Sequence, residues 1–171
     1  MSLFNLVQLG AVWGTVLGVV FSLAVLLIGR IEPEMLLHEY PPDIQAKYGP
    51  MRASVRKRAN GASLVLLVAM GSVVVQGLSQ LRAASGELKF FETLLVSTVI
   101  FEVWNVLDLV LLDWFLLLAL RPKFMILTGT EGMAGYRDYK YHVRKFLKGI
   151  VLTAVSALVV AVIAVGVERL H

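Results

Sequence analysis

The chain has no cysteine among its 171 residues. That excludes disulfide scaffolds, thiolate zinc sites, iron–sulfur clusters and cysteine nucleophiles together. Charge is also scarce: Asp, Glu, Lys and Arg make up 16% of the residues, against about 25% in ordinary soluble domains. Hydrophobic residues reach 58%. A soluble single-core domain, a disordered chain and a coiled coil are all inconsistent with that balance.

What is present is four apolar runs, each of about the twenty residues a helix needs to cross the hydrocarbon core. They cover residues 3–28, 61–81, 94–120 and 150–167. The first lacks a basic leading segment and a small-residue cleavage site, so it is expected to be a retained span rather than a signal peptide. The predicted fold is all-α: a polytopic membrane protein whose single domain is a four-transmembrane-helix bundle.

Lys and Arg fix the expected orientation. Residues 30–58 hold six of them and residues 121–148 hold seven, while the remaining three are Arg82, Lys89 and Arg169. Both termini are therefore expected outside, with loops 30–58 and 121–148 in the cytoplasm. A prokaryotic inner membrane is the expected location. The net charge of +4 sits beside the membrane, where it suits anionic lipid headgroups at about 1 kcal/mol per residue, and implies no nucleic-acid partner.

Small residues set the expected packing. Gly10, Gly14 and Gly18 repeat every four residues in the first span, making a flat strip where another backbone can come close. In the fourth span, Ala154, Ala157, Ala161 and Ala164 follow one helical face. These strips are expected either to hold the bundle together or to pair two copies of it as a homo-oligomer.

The third span carries Glu102, Asn105, Asp108 and Asp113 and no basic residue. At about 100° per residue all four fall within an arc of roughly 140°. Three acids cost about 6–10 kcal/mol to insert, and the eighteen Leu, Ile, Val and Phe residues of the span return about 5–10 kcal/mol. Insertion near break-even requires the acids to face a bundle interior or a wet cavity, where they take up protons or hold a cation.

The loops carry a second candidate set. Pro33 suits the first turn of a short helix, which would place Glu34 and His38 on one face, and Asp138 and His142 have the same spacing. Two carboxylates and two imidazoles could complete a divalent transition-metal site if the loops meet. Between the third span and this second pair, residues 128–135 hold three glycines, but they match neither the P-loop nor the GxGxxG pattern.

Three functions fit these residues. The first is a small transporter or channel subunit using the third-span carboxylates to bind a proton, a cation or a cationic substrate. The second is a membrane-embedded enzyme acting on a lipid or isoprenoid at the cytoplasmic face, with or without a metal. The third is a non-catalytic assembly subunit of a membrane complex.

Overall fold

The computed structural model describes residues 1–170 and shows an all-helical chain, with no strand among them. Four helices are long and apolar enough to cross a membrane. They are α1 (Leu3–Ile31), α3 (Ala53–Ser85), α4 (Phe90–Leu107, continued as a π-helix over Asp108–Leu120) and α5 (Tyr139–Glu168). A short helix, α2 (Pro42–Tyr48), lies between α1 and α3.

The helix ends follow local chemistry. Ser2 caps α1 by accepting the Asn5 amide at 3.2 Å, and Asp138 caps α5 by accepting the Tyr141 amide at 3.0 Å. Gly86, at φ 82°, ends α3, a left-handed position that favours glycine. Three helices begin earlier than hydropathy predicts, α4 by one turn at Phe90 and α3 and α5 by two turns or more, at Ala53 and Tyr139. At 1.5 Å per residue α3 and α5 each run well past a hydrocarbon core of about 30 Å. Their polar first turns are invisible to a search for apolar runs.

α4 is the centre of the bundle, packed along its length against both α1 and α5. The glycine strip of α1 explains the first contact. A Cβ at Gly10 would lie 2.7 Å from the Val99 side chain, one at Gly14 2.7 Å from the Ile100 carbonyl oxygen, and one at Gly18 2.6 Å from Leu107. The strip is therefore consumed inside the bundle and is not the exposed face that pairing two copies through it requires. Leu17, Leu81, Val96 and Ile100 fill the core between α1, α3 and α4. On the α5 side, Ala157 and Ala161 are fully buried. Large apolar side chains such as Leu64, Val65, Val151 and Val159 face outward, as a bilayer-facing surface requires.

The start of α1, the end of α5 and the α3–α4 turn share one end of the bundle, tied by the Arg82–Glu168 pair at 2.9 Å and the Met1 amine–Glu92 pair at 3.3 Å. The two long loops share the other end, where they meet in a cap. Tyr40 donates to the Met125 carbonyl at 2.7 Å, and the Gly135 amide donates to Asp43 at 3.0 Å. Leu37, Ile44, Val55 and Leu127 form the cap's own small core.

Candidate functional site

The winding of the third span changes at Asp108, and this reorganises its acids. The last bond of the π segment runs from the Arg121 amide to the Leu116 carbonyl at 2.9 Å, an i→i−5 step. On an α-helix Asp108 and Asp113 would point about 140° apart; π winding, at roughly 80–85° per residue, leaves them about 50° apart. The expected common arc of four polar residues thus becomes two pairs. The segment ends at Arg121, the one non-glycine residue with positive φ (44°) among those described, and Pro122 follows it. Such a position stores about 1–3 kcal/mol of strain.

Glu102 and Asn105 tie α4 to α5. Thr153 Oγ1 lies 2.6 Å from Glu102 Oε1, closer than to the Gly149 and Ile150 carbonyls at 2.8 and 2.9 Å. Its single hydroxyl proton serves the carboxylate best. Asn105 is buried and donates to the Phe146 carbonyl at 3.4 Å. The contact depends on Gly149, where a Cβ would fall 2.5 Å from the Asn105 side-chain oxygen.

Asp108 and Asp113 instead face two cavities. One, of about 260 Å³, lies under the cap, with His142 and Arg56 in its wall. The other, of about 1120 Å³, is a groove flanked by α3 and α5 and floored by α4. Asp108, Asp113, Glu39, Lys145 and Phe21 line both, so the cavities meet at this cluster.

Three carboxylates, one lysine and one imidazole meet there. His142 Nδ1 lies 2.8 Å from Asp113 Oδ1, with both side chains buried. The ring N–H points off the line to the oxygen, so the contact is a close approach of two polar groups, an ion pair only when the imidazole carries a proton, rather than an aligned hydrogen bond. Lys145, one turn along α5, pairs with Glu39 from the cap. Asp108 has no ion-pair or hydrogen-bond partner among the described residues. An imidazole held at Nδ1 keeps Nε2 for proton transfer, and an unanswered carboxylate in low dielectric calls for a proton or a cation.

The proposed metal quartet Glu34, His38, Asp138 and His142 does not assemble. Residues Pro33–Glu39 form a 3₁₀-helix, in which positions four apart leave a shared face. Glu34 therefore points inward while His38 is exposed. Glu34 accepts the Arg52 amide and Nε, each at 2.6 Å. Burial raises its pKa, but the Arg52 hydrogen bonds and charge prevail and hold the carboxyl below its ordinary range. Asp138 is spent as a cap and His142 on Asp113. Among the described residues no three His, Asp or Glu side chains converge as a metal site.

Sequence reasoning missed Glu39 and Lys145. The available signal was the i, i+3 spacing of His142 and Lys145, which counts only once α5 is known to start at Tyr139. No protein-family model, no curated protein and no solved structure matches the chain.

Proposed function

We propose that this integral membrane protein is a small carrier that binds a cation, or a substrate with a cationic group, at Asp108. The single observation that carries the reading is that Asp108, which makes no ion pair or hydrogen bond through its side chain among the described residues, lines both cavities where they meet. A ligand there is reachable from the cap side and from the groove between α3 and α5. Asp113 and His142 beside it supply a proton-exchanging pair that can couple occupancy to protonation. The Lys and Arg distribution supports placing the loop end in the cytoplasm, with both termini outside; the membrane proposed is a prokaryotic inner membrane.

The test is uptake of labelled tetraethylammonium into proteoliposomes under an imposed pH gradient. Asp108→Asn is expected to abolish it while the purified protein keeps its helical content. Undiminished, pH-dependent uptake by that variant would sink the reading.

One observation favours a second reading, a membrane-embedded enzyme acting on a lipid. The Asp113–His142 pair has the carboxylate–imidazole composition of a general acid/base. With the loop residues dispersed, that chemistry is proposed without the metal. It predicts a lipid product formed by wild-type protein in liposomes and missing with His142→Gln.

A further inference from the structure

We infer that the ligand of Asp108 is a long-chain amphiphile with a cationic head, its chain lying in the groove between α3 and α5. This rests on the reading of Asp108 as a cation-binding group and adds the substrate class.

The groove has the form of a chain site. Its walls are Met70, Val74 and Leu78 from α3 and Leu152, Val160 and Ile163 from α5. The two serines in it are already satisfied: Ser79 donates to the Val75 carbonyl and Ser156 to the Leu152 carbonyl, each at 2.8 Å. Neither offers an unmet polar group to a ligand. From Leu67 to Arg82 the α3 wall is roughly 22 Å long at 1.5 Å per residue, a large part of a hydrocarbon core of about 30 Å. The Arg82–Glu168 pair stands at one end and the Asp108 cluster at the other.

The head is chosen by charge. Within the cluster His142 faces Asp113 and Lys145 pairs with Glu39, leaving Asp108 in surplus; Arg56 and Lys148 line the cavities but make no ion pair with it. A cationic head completes the balance, whereas an anionic one would add like charge to a low-dielectric site. A small cation would satisfy Asp108 and use none of the groove. Chain burial cannot select the ligand, because leaving lipid tails for an apolar groove gains no hydrophobic free energy. The chain confines the molecule to the membrane and guides it along the groove to Asp108.

The experiment uses the full chain in phosphatidylcholine nanodiscs, titrated with 9,10-dibromostearylamine while tryptophan fluorescence is read. Trp104 lines the groove and is the reporter. Wild-type protein is expected to show saturable quenching, largely lost in Trp104→Phe. Half-saturation should rise at least tenfold in Asp108→Asn and in Gly71→Phe. Gly71 lines the groove and has nothing within 4 Å of an added Cβ, so a side chain there starts into open space and the Phe is expected to obstruct the groove.

Quenching unmoved by both variants is mere partitioning and overturns the inference. If Gly71→Phe has no effect while Asp108→Asn still abolishes tetraethylammonium uptake, the inference fails and the carrier reading stands. If both variants weaken quenching but no uptake is found, the amphiphile site stands and the carrier reading fails. Gly71→Cys introduces the chain's one thiol; a disulfide-linked dimer formed through it in membranes would mean that a second copy covers the groove, and would also overturn the inference.

Discussion

Asp113 on the π segment of α4 and His142 in the first turn of α5 meet at 2.8 Å, both buried. The sequence places one in a membrane span and the other in a loop. Their contact joins what reads as two separate sites into one. It depends on α5 starting three residues before His142, so that the imidazole is carried on a rigid helix capped by Asp138.

Removing one member of this pair should be worse than removing both. A lone buried charge left behind costs about 3–5 kcal/mol, whereas neutral replacements of both partners cost far less. Asp113→Asn and His142→Gln are each expected to lower Tm in detergent. The double variant should recover at least half of that loss, a coupling of about 1–3 kcal/mol. Strictly additive shifts would show that the two side chains do not interact.

Asp108→Asn should behave in the opposite way. With no countercharge to strand, neutralising Asp108 relieves a desolvated carboxylate. Tm is expected to hold or rise while uptake is lost. A Tm loss as large as that of Asp113→Asn would place Asp108 among the groups that hold the fold, and would remove the argument for a ligand there.

The glycines divide sharply. Gly14→Ala drives a Cβ to 2.7 Å from the Ile100 carbonyl oxygen. Backbone on the facing helix cannot swing aside as a side chain can, so overpacking of about 1–3 kcal/mol is expected. Gly61→Ala and Gly71→Ala meet nothing within 4 Å and should be neutral or stabilising by up to about 1 kcal/mol. Thermal unfolding of the three variants side by side checks the contrast. Equal effects would mean that α1 and α4 are not in backbone contact.

The fold was legible because bilayer thickness and backbone satisfaction leave an apolar run of this length few options. The polar ends of α3 and α5 were not legible, since Arg56–Arg58 and Lys140–Lys148 read equally as loop or as helix outside the hydrocarbon. The third-span residues were legible as a set but not in their arrangement. A Leu-rich run is equally apolar at 3.6 residues per turn and under i→i+5 winding, so nothing in residues 108–120 announces the turn of Asp113 toward Asp108. The metal quartet failed for a similar reason. Its i, i+4 spacing presumes an α-helix, and Pro33–Glu39 winds as 3₁₀. Distance along the chain also hides which cation answers which acid: Glu34 goes to Arg52 and Glu39 to Lys145.

The cap should loosen in acid, and Glu34 should be the reason. Its folded pKa lies below the ordinary value of 4.5, so its stabilising contribution is complete above about pH 4.5 and is lost as pH falls through the lower folded value. At neutral pH the charged hydrogen bonds from Arg52 are expected to help hold residues 33–52 in place, lessened by solvent screening on the exposed Arg52 side. Two consequences follow for native-state proteolysis of the 30–58 segment. Wild-type protein should be cleaved faster at pH 3.5 than at pH 7 by a protease active at both. Glu34→Gln should be cleaved readily at pH 7 and gain little on acidification, because the group that titrates is gone. If the variant keeps the full pH response of the wild type, some other carboxylate governs the cap, with Asp43 at the Gly135 amide the next to replace.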